Sequence, residues 1–194
     1  IKKGNNSKIF IIINNKIIDL EIRDLNIYNV LASIAVLKVL KIDINKIKAK
    51  LKNFESPEGR GKKYSIIRYK KKFNLIDESY NANPLSVKNA INKLNLIKKE
   101  KFKKYLILGD MLELGSKSNK YHEQLSKVIN NSDIDKVFIK GKKTIFTYKQ
   151  LNRNKRGNIL QNNEDIDFSL KETISNNDYL MIKGSNATGL NDFS

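Results

Sequence analysis

Residues 73–90 read FNLIDESYNANPLSVKNA, and the change of character along them decides the fold. An apolar run, Phe73 to Ile76, comes first. Asp77 and Glu78 follow, then Ser79, Tyr80, Asn81, Ala82 and Asn83, and then Pro84. Beyond the proline, Val87, Ala90, Ile91 and Leu94 recur at helical spacing. The pattern predicts a buried strand, a polar loop at its carboxyl end, and a helix that starts at Pro84. Proline fits the first helical position because its missing N–H has no intrahelical partner there. Asn83 is the predicted N-cap, its side chain accepting from a free backbone N–H. In open α/β sheets, loops at the carboxyl ends of strands are where ligands bind.

The same alternation continues downstream. Tyr105 to Leu108 reads as a buried parallel strand ending in a Gly109-Asp110 turn. A helix from about Asn119 to Asn130 carries His122, the single histidine of the chain. Strands are expected at 136–140, 158–161 and 178–183, with helices at 144–152 and 164–174. From residue 62 on, strands alternating with helices predict a Rossmann-like α/β domain, a mostly parallel sheet with helices on both faces. Upstream, residues 8–22 read as a β-hairpin turning at Asn14-Asn15. Residues 26–40 read as a buried helix, with Val30, Ile34, Leu37 and Leu40 on one face, and Ile44 to Phe54 as a second helix. The turn-rich FESPEGRG at 54–61 is a hinge. It separates residues 1–60, the tail of one domain, from residues 61–194. Residues 64–70 and 73–77 pair as strands, with Lys70 to Lys72 as their turn.

Composition narrows the function classes. The chain has 194 residues, 40% of them hydrophobic, enough for a real core. No run of about 18 uncharged apolar residues exists, so no membrane-spanning helix and no membrane insertion are expected. With no cysteine there is no disulfide, thiolate metal site or cysteine nucleophile. Residue 1 is isoleucine and leads into a polar stretch, not a signal peptide; a start inside a longer, cytoplasmic protein is expected. The net charge of +18 comes from scattered lysine. Nucleic-acid binding is the sharp reading of that charge and a solvated lysine surface the plain one. The plain one is preferred, because arginine, the better base-edge reader, is scarce. Gly141-Lys142-Lys143-Thr144 is not a phosphate loop, since Lys136 stands where the Walker pattern needs glycine. A single histidine with no placed nucleophile builds no triad.

Four stretches resemble the ATP-dependent Mur ligases of peptidoglycan synthesis, within them the branch that adds D-alanyl-D-alanine. They are IDESYNANP at 76–84, Asn26-Ile27-Tyr28-Asn29-Val30-Leu31-Ala32, Leu108-Gly109-Asp110-Met111-Leu112-Glu113-Leu114-Gly115 and Lys183-Gly184-Ser185. The Gly59-Arg60 hinge matches as well. The family usually has histidine before the first asparagine of the second stretch, where this chain has Leu25. The resemblance implies a nucleotide site in which Asn29 lies near adenine, Arg60 reaches the ATP phosphates, and Asp77 or Glu78 binds the ribose hydroxyls. It implies that Asn81 and Asn83 organise the site, that Asp110 and Glu113 order the cleft or the amine substrate, and that Ser185 faces that substrate with Lys183 at the cleft edge. It also places His122 toward the cleft. The implied reaction joins D-alanyl-D-alanine to UDP-N-acetylmuramoyl-tripeptide through an acyl phosphate, with ATP and Mg2+. The family's phosphate loop, magnesium ligands and carbamylated lysine have no match here. The resemblance therefore implies a monomeric C-terminal portion holding no catalytic group and no metal ligand, inactive alone. Two alternatives stand beside it: another Mur-type amino-acid ligase with a different amine, or a basic nucleic-acid-binding domain.

Overall fold

A computed structural model describes residues 2–3, 8–13, 15–21, 27–98 and 100–193. The chain forms two compact units, Ile1–Ser56 and Pro57–Ser194. Residues 57–60, read from sequence as the end of the first unit, belong to the second.

The first unit holds strands β1 (Lys2–Lys3), β2 (Lys8–Ile13) and β3 (Lys16–Glu21), all antiparallel in that order. The β2–β3 hairpin closes with Ile13 opposite Lys16, and Asn15 takes a φ of 61°, the left-handed conformation such two-residue turns require. Asn14 lies outside the described residues. Helix α1 (Ile27–Val39) buries Val30 and Ile34 against Ile9, Ile11 and Leu20. The expected apolar face is shorter than its spacing predicts, since Leu37 is only partly buried and Leu40 is exposed. The expected second helix is a 3₁₀ turn (Ile44–Ile47) running into a short α2 (Lys48–Lys52).

The second unit is a six-stranded sheet in the order β4 (Lys62–Arg68), β5 (Lys71–Glu78), β9 (Tyr179–Lys183), β6 (Lys104–Gly109), β7 (Lys136–Lys140), β8 (Arg156–Leu160). Only the edge pair β4–β5 is antiparallel. Its turn is Tyr69-Lys70, not the expected Lys70 to Lys72, with both residues at positive φ. Helices α3 (Pro84–Asn95), α4 (Ser118–Asn130), α5 (Thr144–Lys149) and α6 (Asn163–Thr173) connect the parallel strands. Connections running outward through β6, β7 and β8 put α3, α4 and α5 on one face. The return to β9 puts α6 on the other, as right-handed crossovers require when the direction along the sheet reverses. β6 is buried along its whole length, which fits its continuous apolar run at the middle of a parallel sheet.

Asn83 caps α3 as the sequence predicts. Its side chain accepts from the Ser86 N–H at 2.8 Å, and its own N–H donates to Ser86 Oγ at 3.0 Å. Lys104 shows how a charge survives at the start of the central strand. Its buried ammonium donates to the Asn95 and Ile97 carbonyls at the carboxyl end of α3 and pairs with Asp133 at 2.7 Å. A cation there complements the helix dipole.

Candidate functional site

The parallel register aligns Glu78 with Lys183 and Gly109 with Lys140, so the carboxyl ends of β5, β9, β6 and β7 lie along one edge of the sheet. Two clusters of polar side chains occupy that edge.

The first cluster sits over β5 and β9. Asp77 is buried and its carboxylate is already engaged. Oδ2 accepts from the Gly59 N–H at 2.9 Å, and Oδ1 accepts from the Ser79 N–H at 3.0 Å and from its hydroxyl at 2.6 Å. Gly61 N–H donates to the Asp77 carbonyl at 2.6 Å, so residues 59–61 are strapped across the strand end. Gly59 holds a φ of 69°, and a Cβ there would stand 2.8 Å from the Tyr80 backbone nitrogen. The strap presents Arg60, an exposed residue whose guanidinium lies 4.1 Å over the Tyr80 ring in a cation–π contact. Lys183, 2% exposed, donates to the carbonyls of Glu78 and Asn81 and so fixes the loop after β5. Burial pushes its ammonium below the ordinary lysine value; Glu78 opposes that and Arg60 reinforces it. The Glu78 carboxylate is half-buried, 3.7 Å from the Lys93 ammonium.

The second cluster sits over β6 and β7. The Asp110 carboxylate accepts from the backbone N–H groups of Lys143, at 3.0 and 3.1 Å, and Thr144, at 2.8 Å. Gly141 makes room for it: a Cβ there would fall 2.4 Å from the carboxylate carbon. The Gly141 to Thr144 turn is thus an anion-binding turn whose anion is a side chain of the same domain. Ser185 stitches the loop after β6 to β9. Its N–H donates to the Asp110 carbonyl and its hydroxyl accepts from the Leu112 N–H, both at 3.1 Å. Beside these residues opens a cavity of about 560 Å³, within the range of about 300–1,000 Å³ usual for ligand sites. Lys140, Lys142, Asp110 and Thr188 supply its polar wall, and Leu112, Ile145, Ile159 and Ala187 its apolar one.

This edge has known relatives. The family model described as "Mur ligase, glutamate ligase domain" matches residues 64–186. The chain belongs to the Mur ligase family. A UDP-N-acetylmuramoyl-tripeptide–D-alanyl-D-alanine ligase of Buchnera aphidicola (subsp. Acyrthosiphon pisum) is 34% identical over 170 residues, 84% of this chain and 34% of that protein. The ligase of the same name from Rickettsia prowazekii is 29% identical over 181 residues, 92% of this chain and 39% of that one. The chain therefore spans about a third of the length of these relatives. In fold it is similar to the MurF ligase of Thermotoga maritima in complex with ADP, with a TM-score of 0.76 at 20% identity, covering 97% of this chain and 42% of that one. MurF of Acinetobacter baumannii gives 0.78 at 20% identity, covering 95% and 41%.

In this Mur ligase domain, the residues named from sequence fall into three groups. Arg60, Asp77, Glu78, Asn81 and Lys183 meet at the first cluster, and Asp110 and Ser185 at the second. Glu113 is exposed beyond Asp110 in a turn, with a φ of 60°. Asn83 lies just past the first cluster with its side-chain oxygen committed to the α3 cap. Asn29 belongs to the first unit, exposed near the start of α1, where its carbonyl accepts from the Ser33 hydroxyl; Leu25 and Asn26 lie outside the described residues. His122 does not face a cleft: it is fully buried. Lys140 and Lys142 escaped the sequence reading. The only signal was the Gly-Lys-Lys-Thr turn, set aside because it fits no nucleotide motif. Among the described residues no three acidic or histidine side chains group as a metal site.

Proposed function

We propose that this chain is the C-terminal portion of an ATP-dependent ligase that joins D-alanyl-D-alanine to UDP-N-acetylmuramoyl-tripeptide. On this reading residues 1–56 end its central ATP-binding domain and residues 57–194 form its C-terminal domain. ATP transfers its γ-phosphoryl group to the tripeptide carboxylate. The dipeptide amine then attacks the acyl phosphate, orthophosphate leaves and an amide forms. Such transfer depends on positioning and charge neutralisation. Arg60, exposed over Tyr80, is suited to grip phosphate oxygens through its planar fork. Glu78 is the better ribose acceptor of the acidic pair, because the Asp77 oxygens already serve three protein donors. Magnesium finds no ligand set among the described residues, so no step is assigned to a metal held by this chain.

The observation that carries the reading is the cavity over β6–β8. Lys140, whose ammonium also donates to Asn163 Oδ1 at 3.2 Å, and Lys142 stand beside an apolar wall, a lining that suits a small peptide with a free carboxylate and methyl side chains. Isothermal titration of the chain with D-alanyl-D-alanine tests it. Saturable binding is expected, weakened at least tenfold by Lys142→Glu, whose side chain is exposed, and by amidation of the dipeptide carboxylate. Binding that neither change alters overturns the assignment.

A further inference from the structure

We propose that His122 is a positioning residue, whose neutral imidazole fixes the loop after β6 and so holds the cavity wall in its binding shape. The inference rests on the occupancy assigned to that cavity, and its geometry is independent of it. His122 sits in the first turns of α4 with no exposed surface. Its Nδ1 lies 2.8 Å from the Ser118 carbonyl, one helical turn back, and must donate to it. That sets the tautomer, leaving Nε2 as an acceptor, and the Met111 N–H donates to it at 2.9 Å. Met111 lies between two residues that line the cavity, Asp110 and Leu112. Their backbone is held on the far side by Ser185, so the loop is clamped from α4 and from β9 at once.

The clamp works in one protonation state. An imidazolium donates from both nitrogens. An N–H at Nε2 would face the buried Met111 N–H, and the loop would have to give way, since an unpaired buried donor is costly. The charged groups that bear on the ring are Asp110 from the loop and Lys143 ahead of α5. Burial lowers the His122 value most, Asp110 opposes this and Lys143 reinforces it. A histidine held below its ordinary value, about 6.5, contributes its stabilisation above that value. The contribution is lost as pH falls toward the folded-state value.

Nitrogen-15 NMR of the chain tests the clamp, with D-alanyl-D-alanine titrated from neutral to mildly acidic pH. Three results are expected. The ring is the Nδ1–H tautomer at neutral pH. The Met111, Leu112 and Ser185 amides shift together on acidification. Dipeptide affinity falls with the same midpoint. Among variants, His122→Gln places an oxygen near Nε2 and retains affinity within about threefold, without that pH dependence. His122→Asn can mimic only Nδ1 and loses about tenfold or more. An Nε2–H tautomer, amides indifferent to His122 titration, or wild-type behaviour of a folded His122→Asn overturns the proposal. Should His122→Asn not fold, the tautomer and amide shifts of the unsubstituted chain decide. Amides that follow the titration in a chain that never binds dipeptide support the clamp and remove only its assigned occupant.

Discussion

Asp77 joins the two halves of the first cluster. It is acidic, follows an apolar run and ends a strand, which is the sequence signature of a ligand-binding carboxylate. The structure gives its oxygens to Gly59 and Ser79 instead. Asp77→Asn leaves one acceptor oxygen for three donors. Removing a partner from a buried hydrogen-bonded group costs about 1–3 kcal/mol. Urea unfolding is expected to show a loss of that size, while Glu78→Gln, at a carboxylate only 3.7 Å from Lys93 on a partly exposed surface, costs well under half as much. Equal losses would contradict this division of labour. Single residues were legible where their partners are close in sequence. The Asn83 cap is one such case, because Asn-Pro announces a helix start and Ser86 is three residues on. They were not legible where the partner arrives from elsewhere. The turn at Gly141 to Thr144 meets its anion, Asp110, only once β6 and β7 pair, and His122 meets Met111 only across the loop.

At the scale of elements, the sequence reading placed every strand and α-helix of the second unit within a few residues, though not its short 3₁₀ turns, because apolar periodicity and proline or glycine punctuation agree there. The β4–β5 turn is the exception. Tyr69 and Lys70 hold φ values of 56° and 58°, where asparagine and glycine are expected. Neither residue type announces a turn, so the lysine run was read as one. The tertiary reason is at hand. The Tyr69 hydroxyl donates to Asp167 on α6, and Arg68 pairs with the same carboxylate at 2.9 Å, so the hairpin is pinned across the sheet. Lys70 takes no part in that pin, and a left-handed L-residue costs about 1–2 kcal/mol. Lys70→Gly is therefore expected to raise stability by about 1 kcal/mol in urea unfolding, after its own entropy loss. A destabilised variant would show that the lysine side chain holds the turn. In the first unit, α1 was legible as a helix and Val30 and Ile34 as its buried positions, but the buried face ends sooner than the spacing predicts: Val36 and Val39, and Leu40 just beyond the helix, are exposed.

For the whole molecule, a net charge of +18 describes solubility and attraction to anions, not fold. The proposed function rests on the placement of both polar clusters at the carboxyl ends of parallel strands, with a cavity beside one of them. No helix among the described residues is long and apolar enough to cross a membrane. The chain matches about a third of the length of its relatives, so the proposed chemistry needs a longer protein carrying this chain. The most direct measurement is phosphate release from ATP by that protein, with UDP-N-acetylmuramoyl-tripeptide and a panel of amines. Release that requires both the tripeptide and D-alanyl-D-alanine, and that this chain alone does not support, is the predicted result. Turnover with a single amino acid in place of the dipeptide, or full turnover by this chain alone, would contradict the account.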